Sequence, residues 1–116
     1  MKLFDTLQNN GDGATIDPLK YIPLTFRRGY AVGLTDNAFN CLTIRATRQN
    51  AKKLKAYAKK LNLKNYYFGY WRDSKTGKNF FDLSIVVMRK AEALNIGRIF
   101  GQKAIFDFNK MVNVYI

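Results

Sequence analysis

Apolar and polar residues alternate with two different periods along this chain, and the switches between them mark out its elements. From Tyr66 to Arg72 and from Asn79 to Val87 the period is two, around the turn-forming run Asp73-Ser74-Lys75-Thr76-Gly77-Lys78. Pairing Arg72 with Asn79 puts Tyr66, Phe68, Tyr70, Phe81, Leu83 and Ile85 on one face, a core face. Tyr67, Trp71, Phe80, Asp82 and Ser84 then share the other, and a one-residue slip would reshuffle both sets. Two further strand-like runs, Phe26 to Leu34 and Phe39 to Arg45, flank Thr35-Asp36-Asn37, whose turn chemistry predicts a β-hairpin.

Between these pairs the period lengthens. With Thr47 as N-cap, residues up to Leu61 place Ala51, Leu54, Tyr57, Ala58 and Leu61 within an arc of about 120°, as an amphipathic helix requires. Asn62 ends it. A second helix is predicted over Arg89 to Phe100, closed by Gly101 in a left-handed C-cap, with Gly97 permitting close approach to a sheet. Lys103 to Phe108 and Met111 to Ile116 form a last hairpin across Asn109-Lys110, with Asn109 taking the positive φ. Residues 1–24 read as a partly irregular appendage, because Asn9-Asn10-Gly11-Asp12-Gly13 breaks a short helical turn and Pro18 and Pro23 follow. Residues 25–116 make a single domain in the order β-β-α-β-β-α-β-β. The expected class is α+β, two helices packed on a mainly antiparallel sheet.

Charge sharpens this picture. Of twenty Lys and Arg residues, eleven lie between Ile44 and Asn79 with a single acid, Asp73, so this third of the chain holds +10 of the net +12. Arg48, Lys52, Lys53, Lys55, Lys59 and Lys60 all fall opposite the apolar face of the first predicted helix, with Arg45 just before it. A merely solvated, solubilising helix face is the plain alternative. Such faces usually mix signs for i,i+4 pairing, and here no Glu is interleaved. Bases concentrated this way attract polyanions. Beyond the helix, Tyr67, Trp71 and Arg72 on the aromatic strand offer base stacking and a further cation, although most aromatics in such a strand serve a core.

Other chemistry is poorly supplied. The chain has no histidine, the commonest general base and metal ligand, and one cysteine, Cys41, read as a small strand hydrophobe. Ordinary zinc sites, Cys–His pairs and an intrachain disulfide framework are excluded, and no two of the eight carboxylates stand closer than five residues. No phosphate-binding glycine loop is present. No catalytic residue, metal or cofactor is assigned. No apolar run follows Met1-Lys2-Leu3-Phe4-Asp5, so no signal peptide and no membrane partner is expected, and the location expected is cytoplasmic.

Residues Leu83-Ser84-Ile85-Val86-Val87, Ala91-Glu92-Ala93-Leu94 and Gly97-Arg98-Ile99-Phe100-Gly101-Gln102-Lys103-Ala104-Ile105 together resemble an uncharacterised bacterial and phage family. Its signature is a strand with a Ser, a small-residue helix and a Phe-Gly-Gln-x-Ala-aliphatic entry into a strand. The resemblance spans roughly residues 26–108 and implies a fold, no activity, and three polar positions, Asn50, Ser84 and Gln102. Asn-Pro, common after the family's second strand, is replaced by Arg45-Ala46-Thr47. Three functional readings follow, in order. The first is a basic, non-catalytic protein contacting the backbone of DNA or RNA. The second is a phage or mobile-element accessory protein docking on an acidic host protein. The third is a weak enzyme site around Ser84 and Gln102.

Overall fold

In the computed structural model, which describes all residues 1–116, strand Asn79–Val87 is the member that every other element is arranged around. The chain runs α1 (Lys2–Asn9), β1 (Ala14–Ile16), β2 (Pro23–Leu24), β3 (Tyr30–Gly33) and β4 (Ala38–Phe39). It continues with α2 (Ile44–Lys60), β5 (Tyr67–Arg72), β6 (Asn79–Val87), α3 (Lys90–Ile99), β7 (Ala104–Asp107) and β8 (Val112–Tyr115). The eight strands form one sheet in the order β2-β1-β5-β6-β3-β7-β8, with β4 also on β6, and every pairing is antiparallel. The α+β class expected from the sequence is the class observed.

All three helices lie on one face. Phe68, Tyr70, Phe81 and Leu83 point to that face and meet Leu3 and Leu7 of α1 and Ala51, Leu54 and Ala58 of α2 in the main core. A smaller cluster of Val32, Ala93 and Ile105 holds α3 over β3 and β7. The β5–β6 register is the one the alternation predicts, Arg72 opposite Asn79, with the two side-chain sets on the faces assigned to them. Gly101, at φ +69°, ends α3 as expected, and Gly97 sits so close to Ile116 and Ile105 that a Cβ there would lie 2.5 Å from the Ile116 Cδ1.

Four local expectations are corrected. Residues 1–24 are no loose appendage: α1 is a third packed helix whose Leu3 and Leu7 are fully buried, and Ile16 of β1 joins the same core beside Phe68. The hairpin around Thr35-Asp36-Asn37 does not form. Both β3 and β4 pair with β6, and Leu34 to Asn37 set four residues against the three from Phe81 to Leu83, a bulge in a continuous edge. Helix α2 begins one turn early, capped by Thr43, whose Oγ1 accepts from the Ala46 N–H at 3.0 Å; Ile44 and Arg45 are therefore helical, and Cys41 is exposed in the turn before them. In the last hairpin the positive φ belongs to Met111, while Asp107 Oδ1 accepts from the Asn109 and Lys110 N–H groups and shapes the turn.

Because α1 is part of the core, Leu7→Ala is expected to lower the unfolding free energy by about 2–4 kcal/mol, as truncation of a fully buried leucine does. Urea unfolding followed by circular dichroism measures this; an appendage would leave the midpoint where it was.

Candidate nucleic-acid interface and the polar network behind it

Helix α2 owes its orientation to four buried positions, Thr47, Ala51, Leu54 and Ala58, spaced to form one stripe against the sheet. The opposite side must then face solvent, and Arg45, Arg48, Lys52, Lys59 and Lys60 are all exposed there. Two other bases of the set are tied down. Lys53 Nζ donates to Asn37 Oδ1 at 3.1 Å. Lys55 is half-buried, donates to the Tyr21 hydroxyl at 2.6 Å and lies 4.8 Å from that ring's centre, a cation–π contact. Both partners are neutral, and the helix itself contains no acid. Arg45 and Arg48 also stand in the first turn and a half, where the positive end of the helix dipole disfavours them.

The aromatic residues proposed alongside these bases lie elsewhere. Tyr67 and Trp71 point to the helix-free face of the sheet, so no single flat surface joins them to the outer side of α2. Tyr67 is half-buried with Phe26 edge-on to it at 5.2 Å, and Phe26 in turn leans on Phe108. Trp71 is 46% exposed, with one ring face stacked on Phe80 at 4.4 Å and 10°. Arg72 is exposed at the end of β5 beside Gly11, away from α2.

Asn50, Ser84 and Gln102 do not gather into one pocket. They surround the bulge from different sides. Asn50 Oδ1 accepts from Asn37 Nδ2 at 2.9 Å on the side facing α2, and the same Asn37 amide donates to the Phe81 carbonyl. Gln102 reaches the Thr35 carbonyl at 3.4 Å. Ser84 is buried on the helix-free face, fitted against Gly69 of β5, where a Cβ would come within 3.0 Å of its hydroxyl. No deeply buried side-chain nitrogen or oxygen lacks a hydrogen-bond partner, and Asn50 and Gln102 each donate to a backbone carbonyl, of Ala46 and Thr35.

The residue at the network's centre is Asp82, which the alternation assigns to the helix-free face and which entered no candidate site. Asp82 Oδ1 accepts from the Asn37 N–H at 2.8 Å and from the Thr35 hydroxyl at 3.4 Å, while that hydroxyl accepts from the Leu83 N–H at 2.9 Å. Burial pushes the Asp82 carboxyl up to about 6; nearby Asp36 adds to the rise, and the bonds from Asn37 and Thr35 oppose it. Beside this bulge a groove of about 560 Å³ opens between Leu34 and Asn37 on one side and Lys53, Leu54, Tyr57 and Lys60 on the other. Nowhere do three His, Cys, Asp or Glu side chains come close enough to hold a metal ion, and no helix is long and apolar enough to cross a membrane.

Comparison with known proteins adds no relative: no family model matches the chain, and neither a curated protein nor a solved structure is significantly similar to it.

The buried carboxylate yields a pH prediction. Its folded-state value of about 6 exceeds the ordinary value of 3.8, so its charge destabilises the fold above pH 6 and that cost disappears as pH falls below 4. Asp82→Asn, which keeps an acceptor for the Asn37 N–H, is expected to raise stability at pH 7–8 by on the order of 2 kcal/mol, and by almost nothing near pH 4. Denaturant titrations of both proteins across this range check the sign.

Proposed function

We propose that the protein binds the phosphate backbone of nucleic acid, DNA or RNA, through the outer side of α2, without catalysis. The observation that carries this reading is the set Arg45, Arg48, Lys52, Lys59 and Lys60, exposed along one helix side with no carboxylate on that helix. Five unpaired cations cost the free protein something through mutual repulsion and, for the two arginines, through the helix dipole. A polyanion relieves both costs and releases counterions as it binds. A Lys-rich, convex helix side is suited to following phosphates, which position a protein on a strand, and carries few of the bidentate groups that read bases. Trp71 and Arg72, on another part of the surface, stand outside this interface, and Lys53 and Lys55 support it structurally.

Five phosphate contacts on duplex DNA correspond to a log–log salt slope of about −4.5, a loss of several hundred-fold in affinity between 50 and 200 mM salt. The expected result in fluorescence anisotropy is that slope with labelled double-stranded oligonucleotides and about −3.5 with single-stranded ones. Arg48→Gln/Lys52→Gln/Lys59→Gln is expected to flatten it by roughly three contacts without lowering the melting temperature, because none of the three touches the core and their removal only relieves repulsion along the helix. Absence of binding at low salt would overturn the reading and point the same basic side toward an acidic protein surface.

A further inference from the structure

We propose that the outer edge of the sheet, strand β8, pairs with β8 of a second copy of this chain, so that the protein is a two-fold dimer with one continuous sheet. The two edges of the sheet are built differently. At one end, β2 is two residues long and contains Pro23, which has no N–H to offer, so that edge is blunted. At the other end, β8 reads Val112-Asn113-Val114-Tyr115, with no charge, no proline and no element beyond it. Natural edges left in this state invite pairing with another chain.

The side chains around this edge are unusually apolar for free surface. Tyr115 is 76% exposed, Met111 61% and Val112 47%, and Ile116 is exposed beside them. Covering these four removes on the order of 450 Å² per copy, about half of the ~800 Å² that each partner of a standard-size interface buries and within the range of weaker interfaces.

Self-pairing is favoured over another partner because the strand complements itself. Directly opposed residues of an antiparallel pair lie on the same face, so a two-fold axis must pass through a residue position. An axis at Val114 sets Val114 against Val114, and Val112 of one copy against Ile116 of the other, on the helix-bearing face. Asn113 then meets Tyr115 on the other face. No charge meets a like charge in this register. The positive charge is concentrated on α2, which packs on β6, three strand spacings or about 14 Å from β8 and beyond a physiological Debye length.

The dimer does not depend on the nucleic-acid reading, and its test excludes nucleic acid. Nuclease-treated protein in about 1 M salt, where the Debye length is ~3 Å, is run by sedimentation velocity over rising micromolar concentrations. The expected species has twice the chain mass, and Val112→Lys/Tyr115→Lys halves it with the circular dichroism spectrum preserved. Register is read separately in a Cys41→Ser background, where Val114→Cys is expected to oxidise to a covalent dimer at least tenfold faster than Val112→Cys. A monomer at every concentration, a dimer that survives the double lysine substitution, or equal cross-linking at the two positions overturns the proposal.

Discussion

The one-residue mismatch opposite β6 is the constraint on which most of this structure depends. Strand β6 carries β5 along one side and must carry both β3 and β4 along the other. Four residues, Leu34 to Asn37, face three, Phe81 to Leu83, so one residue has to leave the ladder and its polar groups need new partners. Asp82 and Thr35 supply them: the Asp82 carboxylate takes the Asn37 N–H, and the Thr35 hydroxyl takes the Leu83 N–H. The displaced Asn37 side chain then turns toward α2 and bonds Asn50 and Lys53. A local defect in pairing thus becomes the polar joint between sheet and helix. The carboxyl at its centre is held at about 6 by burial, a penalty that the two donors only partly offset.

That joint also divides the bases of α2 by task. Lys53 and Lys55 lie on the two flanks of the helix, one against the bulge and the other against Tyr21, and each gives its ammonium to a neutral oxygen. The bases between them remain in water. Long side chains at the flanks can cover apolar surface with their stems while the head finds a local acceptor. Those on the crest have no such neighbour. The same sequence of lysines therefore splits into structural and free sets by helical angle alone, a division that counting charges does not reveal.

What the sequence discloses follows the range of the interactions involved. The β5–β6 register was readable because alternation, turn residues and burial all agree over fifteen positions, and Gly101 marked its helix end because only a residue tolerant of positive φ fits there. Helix α2 was recognisable, but its start was not: Thr43 and Thr47 are both acceptable caps, and only the tertiary burial of Thr47 decides between them. Helix α1 was readable only as a short helical turn and its packing was not, because two leucines in eight residues are a weak local signal, made decisive by a core that other segments complete. Thr35-Asp36-Asn37 has the composition of a turn and acts as a bulge, since what matters is the strand opposite it. Asp82 drew little notice for the same reason; its partners are 45 and 47 residues away.

The aromatic residues of the helix-free face can be accounted for by the sheet itself. An antiparallel sheet may keep one face open to water, but its cross-strand neighbours must still stabilise it. Trp71 and Phe80 are directly opposed across β5 and β6 and stack on each other, an arrangement that satisfies both rings before any ligand arrives. Tyr67 is covered by Phe26, which the chain between β2 and β3 folds back over this face, and Phe108 completes the group. Small residues fill the gaps between the two clusters, with Ser84 lodged against Gly69. Aromatic–aromatic pairs of this kind contribute roughly 0.5–1.5 kcal/mol each beyond their burial. Rings used in this way hold the hairpin's register where no helix covers it, which leaves the exposed cations of α2 as the chemistry on this molecule that still lacks a counterpart.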